Sequence, residues 1–311
     1  MPKPLVTAVI PSYNYGRYIE RAIDSVLAQS YQPIECIVVD DGSTDDTKQR
    51  LARYAGRVEV LDQRRQGPGV ARNFGARHGT GEYIAYLDAD DCWEPEKIAK
   101  QVARLEANPR AGAVGCGARL VDTEGRLKMT LDYGEFAGIR NERLGAVARR
   151  QFWVGGSDSG VLIRRSVLDH VGGFDETLGA AEDWDLWMRV AAEYAIENVR
   201  EPLVTILVHR ASIFRNARMV ERFQWQVYRK AKDQWPEVMR GGVERQVRAT
   251  IRRDAGNEHL SAGDSFAAAA RFWQAVAEWP WSARHWTLAG KSSVRCLLVL
   301  ARPRRTAGPA P

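Results

Sequence analysis

For its first ninety residues the chain alternates short apolar runs with stretches of helical period, and each run ends on a polar turn. Residues 5–10 form such a run and stop at Pro11-Ser12, residues 16–29 carry apolar groups at helical spacing, and residues 34–39 form a second run ending in Asp40-Asp41-Gly42. Ser43-Thr44-Asp45-Asp46 has the form of a helix N-terminus, predicting a helix to about residue 54. A third run at 58–61, a Gly67-Pro68-Gly69 turn, a helix over 70–78 and a fourth run at 83–87 follow, the last delivering Asp88, Asp90 and Asp91. Continuous apolar strands separated by helices predict an α/β fold: a mainly parallel sheet flanked by helices, with ligands at the carboxyl ends of the strands.

Further along, the pattern predicts a helix over 95–107, strands over 112–121 and 159–163, and a Val-Gly-Gly-Phe-Asp turn over 171–175. Residues 123–158 are rich in Gly and charge without a clear period, which reads as a mobile acceptor loop with short helices. After about residue 212 the chain turns helical, over 217–233, 241–261, 263–278 and 281–300. The expected organisation is therefore a catalytic domain over 1–211, a helical appendage over 212–300 and a disordered Pro/Arg tail over 301–311. Residues 256–286 loosely suggest one tetratricopeptide-like hairpin.

Charge divides the same way. Residues 1–208 hold 26 Lys and Arg against 31 Asp and Glu, whereas 209–311 hold 19 against 8, a local excess of +11. Six of the ten tryptophans, at 225, 235, 273, 279, 281 and 286, also lie in that last third. Basic residues beside Trp suit peripheral contact with an anionic membrane surface, and equally a helical bundle or a homodimer contact. The pI of 9.2 does not argue for nucleic acid, because no base-reading motif accompanies it. Cys36, Cys92, Cys116 and Cys296 have no paired or metal-type spacing, and no segment reads as a signal peptide or a membrane span. Those features predict a cytoplasmic protein, or one peripheral on the cytosolic face of a membrane.

Two acidic clusters carry the chemistry. Leu-Asp-Ala-Asp-Asp at 87–91 closes an apolar strand and suits a hard divalent cation, Mn²⁺ or Mg²⁺. Glu182-Asp183-Trp184-Asp185, at what reads as a helix start, sets carboxylates among aromatics, the setting expected of a general base. Trp184 and Trp187 suit either a sugar platform or the core, and Asp185 with Arg189, four apart, suits a surface ion pair.

Val-Ile-Pro-Ser-Tyr-Asn at 9–14, Val-Val-Asp-Asp-Gly-Ser-Thr-Asp at 38–45, Ala-Arg-Asn-Phe-Gly at 71–75, the strand into Asp88–Asp91, Gly-Gly-Phe-Asp-Glu at 172–176 and Glu-Asp-Trp-Asp-Leu-Trp-Met-Arg at 182–189 together resemble the family-2 inverting glycosyltransferases of GT-A fold. The resemblance covers about residues 4–210. It implies a Rossmann-like GT-A sheet that binds a nucleotide-sugar donor, UDP- or dTDP-linked, and transfers the sugar to a glycan, lipid-linked or small-molecule acceptor. By the same resemblance Asp183 is the base with Glu182 beside it. Pro11, Tyr13, Asp41, Arg72 and Asp88 bind the nucleotide, and Asp90 holds the metal with Asp88 and His209. At His209 the run is Ile206-Leu207-Val208-His209, where the family often has Tyr-Arg-x-His. Gly155-Gly156-Ser157 is a candidate shaper of the donor-sugar pocket, and bacterial surface-polysaccharide assembly is the family's commonest setting.

Two competing readings remain. A sugar nucleotidyltransferase would share the sheet but needs a Gly-rich basic phosphate loop after the first strand, which Pro-Ser-Tyr-Asn-Tyr-Gly is not. A non-catalytic sugar-nucleotide or glycan-binding scaffold would be expected to have lost the acidic pairs, and both are present.

Overall fold

The computed structural model describes residues 2–132, 140–150, 158–209 and 217–300. The Gly155-Gly156-Ser157 segment, part of the expected acceptor loop and the tail over 301–311 lie outside the described residues. By contacts the chain divides into two compact units, residues 1–209 and 210–311.

In the first unit, β1 (Val6–Ser12), β2 (Ile34–Asp40), β3 (Glu59–Asp62) and β4 (Tyr83–Tyr86) pair in parallel, in the order β3-β2-β1-β4. All seven residues of β1 are buried, as expected of a central strand covered on both faces. One cover is α1 (Gly16–Leu27), which buries Ile19, Ala22, Ile23 and Val26 at helical spacing. Another is α3 (Pro68–His78): a Cβ added at Gly75 would stand 2.5 Å from a Val9 methyl, so only glycine lets this helix lie so close to β1. The helix expected to 54 is broken into α2 (Thr47–Leu51) and a 3₁₀ turn, Ala52–Tyr54. Its start is tied by Asp45, whose Oδ1 accepts from the Thr47 amide at 3.0 Å.

Beyond β4 the sheet is mixed. It continues as β8 (Leu162–Arg164), β6 (Ala111–Val121), β9 (Ala195–Leu207) and β5 (Cys92–Trp93), with β7 (Leu127–Leu131) paired to β6. β8 is antiparallel to both neighbours, while β6 and β9 run parallel. The strand expected over 159–163 begins later, because Asp158–Gly160 forms a 3₁₀ turn. Among the described residues, α4 (Lys97–Ala107), α5 (Arg140–Ala148), α6 (Arg165–Val171) and α7 (Glu182–Glu193) are this unit's remaining helices.

The described residues of the second unit form four helices: α8 (Ala217–Gln234), α9 (Gly241–Ser261), α10 (Ser265–Glu278) and α11 (Ala283–Leu300). α9 and α10 form a tight hairpin in which a Cβ at Gly256 would stand 2.5 Å from the Phe272 ring. Asp264 caps α10 by accepting from the Ala267 amide. Ala268, Phe272, Val276 and Ala289 form a small core cluster of its own.

Candidate active site

Register fixes where the strand-end loops meet. Ser12 of β1 stands opposite Asp40 of β2, so the turns after the two strands emerge side by side. Asn14 joins them: its Oδ1 accepts from the Thr44 and Asp45 amides at 2.7 and 3.3 Å, and its own amide donates to Ser43 Oγ at 2.9 Å. Pro11 is buried at the end of β1, and Tyr13 is half-buried with the Arg65 guanidinium 4.1 Å from its ring centre.

Asp40 and Asp41 divide their work. Asp40 is fully buried, accepts from the Ser43 amide at 3.0 Å and has Lys48 Nζ 3.7 Å away, so it builds the turn. Asp41 Oδ1 accepts from Gln63 Nε2 and the Gln66 amide, and Oδ2 from the Gly67 amide. Three of the four acceptor positions of a carboxylate are thereby filled by its own loop, which leaves room for one further donor.

The strand-end acids diverge in environment. Asp91 is buried, accepting from Ser159 Oγ at 2.6 Å and the Leu207 amide at 3.1 Å. Burial first, and then Asp88 and Asp90, hold its carboxyl well above the usual range. Burial, with Asp88 beside it, also raises Asp90. His209 Nε2 lies 2.9 Å from Asp90 Oδ2, and the imidazole is stacked on Tyr18 with ring centres 5.3 Å apart. Among the described residues no three His, Cys, Asp or Glu side chains are already gathered as a metal cluster. The donor set nonetheless fits a hard divalent cation: a carboxylate and an imidazole stand side by side with Asp88 two residues away, and ligand oxygens or water can complete the shell.

Arg72 unites the two acidic clusters. It projects from α3 and is only 4% exposed; Nη2 donates to Asp88 Oδ1 at 2.6 Å and Nη1 to Glu182 Oε1 at 3.1 Å. Nη1 also lies 3.2 Å from Asp158 Oδ2. Three carboxylates keep the guanidinium charged against the cost of burying it. The resemblance implied a nucleotide contact for Arg72; here Nη1 and Nη2 are engaged by the protein's own acids, while Nε is buried without a hydrogen-bond partner among the described residues.

Asp158 is the member that sequence reasoning missed. It sits in the 3₁₀ turn before β8, in an irregular stretch without a motif. Its Oδ1 is buried without a hydrogen-bond partner among the described residues, and burial pushes the carboxyl up to about 8 although Arg72 pulls the other way. The only signal available was a lone acid immediately before the strand expected over 159–163. Ser159 next to it braces the strand-end loop, accepting from the Asp88 amide and donating to Asp91.

On α7 the acids fall in the first turn, where the helix dipole favours negative charge. Ala181, immediately before it, has φ +61°, a left-handed conformation that costs a non-glycine residue energy and turns the chain into the helix. Glu182 faces Arg72 and is buried, whereas Asp183 is half-buried, with Oδ1 accepting from the Trp184 amide at 2.7 Å. Trp184 and Trp187 are both buried, and Trp184 Nε1 donates to the Val147 carbonyl, so they serve the core. Asp185 and Arg189 do pair, at 2.7 Å, but beneath the surface, where Arg189 also donates to the carbonyls of Val171 and Gly173.

A family model described as glycosyl transferase family 2 matches residues 7–172. The chain is similar to an uncharacterized glycosyltransferase of Nostoc sp., at 33% identity over 220 residues, covering 67% of this chain and 66% of that protein. With chondroitin synthase of Escherichia coli it shares 29% over 209 residues, 66% of this chain and 29% of that one. It thus spans just under two thirds of the Nostoc relative and a much smaller share of the synthase. Among solved structures, it resembles the mannosyltransferase PcManGT from Pyrobaculum calidifontis in complex with GDP-Man and Mn²⁺, with a TM-score of 0.60, 22% identity and coverage of 95% of this chain and 81% of that one. It also resembles S. aureus TarS 1-349 in complex with UDP-GlcNAc, with a TM-score of 0.57, 14% identity and coverage of 96% and 93%. At such identities the likeness is one of fold.

Proposed function

This chain belongs to glycosyl transferase family 2, and from that premise we propose that it transfers a sugar from a nucleotide donor to an acceptor hydroxyl with inversion. The donor is UDP- or dTDP-linked and the acceptor a glycan, a lipid-linked glycan or a small molecule, in surface-polysaccharide assembly. The observation that carries this reading is the convergence of Asp88 and Glu182, 94 positions apart, on one buried guanidinium, with the half-buried carboxylate of Asp183 next along the helix. Support for a nucleotide sugar as ligand comes from the fold neighbours, whose complexes hold GDP-Man with Mn²⁺ and UDP-GlcNAc.

Asp183 takes the acceptor hydroxyl proton as the oxygen attacks the anomeric carbon. The bond from that carbon to the diphosphate oxygen breaks on the opposite face, and the nucleoside diphosphate leaves with the electron pair. One base suffices because no covalent sugar–enzyme bond forms. Glu182 and Arg72 hold the start of α7 against the strand end, setting the distance between base and donor. Tyr13 offers a ring face for the base of the nucleotide, and Asp41 has one acceptor position for an imide N–H. A divalent cation held by Asp90 with His209 and Asp88 would supply positive charge against the departing diphosphate.

A panel of nucleotide sugars, incubated with protein and Mn²⁺ and followed for release of nucleoside diphosphate, tests the reading and selects the donor. Asp183→Asn is expected to bind that donor nearly as well as the parent and to lose about 10²–10⁴ in transfer rate. Unchanged turnover would remove Asp183 from the role.

A further inference from the structure

The transfer chemistry makes no use of one face of the helical unit. α10 and α11 run antiparallel, since Ser292 Oγ and Cys296 Sγ near the end of α11 both donate to the Ser265 carbonyl at the start of α10. Phe266 and Trp273 of α10 are exposed seven residues apart, on one side of that helix. Trp286, Val294 and Leu297 are exposed on α11, at spacings of eight and three. The two stripes meet where Trp273 and Trp286 pack edge to face, ring centres 5.6 Å apart. Both indole N–H groups are satisfied by the protein, Trp273 on Ser293 Oγ and Trp286 on the Pro280 carbonyl, so what these rings offer outward is apolar surface. Trp281, in the turn between the helices, is 82% exposed.

A cationic stripe runs alongside. Arg284, Lys291 and Arg295 are spaced by seven and four, all exposed, and form a stripe along α11 that borders its apolar one through Lys291 and Val294, three residues apart, on the solvent-facing side of the helix. None of the three makes an ion pair among the described residues. After Glu278 the sequence has no further Asp or Glu, while it adds Arg302, Arg304 and Arg305. A second copy of this chain would set cation against cation on this face. A nucleic-acid duplex, its bases stacked on one another, would satisfy the cations and leave the aromatic and aliphatic surface without a partner. An anionic lipid leaflet satisfies both, with phosphates for the cations and the acyl boundary for Trp, Val and Leu.

We propose that this face of α10 and α11 docks peripherally on an anionic membrane leaflet. No helix among the described residues is long and apolar enough to cross a bilayer, and docking of this kind needs none.

The test uses the full chain in co-sedimentation with phosphatidylcholine vesicles containing about a third phosphatidylglycerol, and with phosphatidylcholine alone, at about 50 and 500 mM salt. Binding is expected only to the anionic vesicles, with a blue shift of tryptophan emission, and is expected to weaken at high salt. Lys291→Glu with Arg295→Glu should lower the partition coefficient roughly 30-fold or more, given the worth of each cation near an anionic surface. Val294→Ser with Leu297→Ser should lower it with every charge kept. Circular dichroism and melting of both variants should match the parent, because the altered side chains face solvent. The proposal is overturned by absence of binding at low salt, or by variants that bind as the parent does. It is equally overturned if the same substitutions abolish a dimer in sedimentation velocity, or binding to a DNA duplex, while vesicle binding is nil.

Discussion

Arg72 shows how far a single residue can be read from sequence. Its place in Ala-Arg-Asn marked it as part of the site, but not its partners, because Asp158 is remote in sequence and belongs to no motif. The acids at 88, 90, 182 and 183 were legible for the opposite reason: they end an apolar run or begin a helical one, and position in an element limits what a carboxylate there can do. Removing Arg72 tests whether the convergence matters. Arg72→Met leaves Asp88, Asp158 and Glu182 without their common cation, and breaking one side of a buried ion network costs about 3–5 kcal/mol. Arg72→Lys keeps the charge and loses the fork that spans two acids, so it should recover most of the stability and little of the transfer rate. Urea denaturation beside a transfer assay separates the two effects; a Met variant as stable as the parent would mean that the acids are satisfied by other groups.

At the scale of elements, the strands with unbroken apolar runs were legible and β9 was not, although at 13 residues it is the longest in the sheet. Its sequence mixes Glu197, Arg200, Glu201 and Pro202 into the apolar run, and Pro inside a strand argues against one. The structure absorbs the conflict with register shifts: Cys116 pairs with Val199 and Gly117 with Pro202, so Arg200 and Glu201 fall outside the ladder. α4 was legible by period, yet period did not reveal that Lys97 is wholly buried, with Nζ bonded to Gln101 Oε1 at 2.9 Å and lying 4.2 Å from the Trp93 ring centre. Burial lowers this ammonium to about 8 from 10.5. Between those values the unfolded chain binds more protons than the folded one, so stability rises with pH across that window, by roughly 3 kcal/mol in all. Lys97→Met should show no such rise. It leaves Gln101 Oε1 unpaired at every pH, a constant offset, so the diagnostic quantity is the gap between parent and variant in denaturation at pH 7, 9 and 10.5. A gap that stays flat with pH would rule Lys97 out as its source.

Across the whole molecule, the α/β class was carried by the alternation of the first ninety residues, while the mixed half of the sheet was legible only in part: strands were expected where β6 and β8 lie, but their antiparallel pairing was not, and β5, with two residues, has no readable period. The candidate ligand groups come from opposite parts of that sheet: Tyr13 after β1, Asp41 after β2, Arg72 on α3, Asp88 and Asp90 after β4, and His209 after β9. A donor that touches them all ties these elements together, and by linkage it must stabilise the folded state, by about 2.7 kcal/mol at a ligand concentration a hundred times its dissociation constant. UDP with Mn²⁺ is therefore expected to raise the melting temperature of the parent more than either alone. Asp90→Ala should lose the Mn²⁺-dependent part entirely. His209→Ala should keep a fraction of it, because water could take one position in a shell that Asp90 and the diphosphate would still hold. Melting curves of the three proteins, each with UDP, Mn²⁺ and both, decide the matter. If Asp90→Ala gains as much from the pair as the parent does, the cation is held by other groups and the strand-end pair Asp90–His209 is a structural contact.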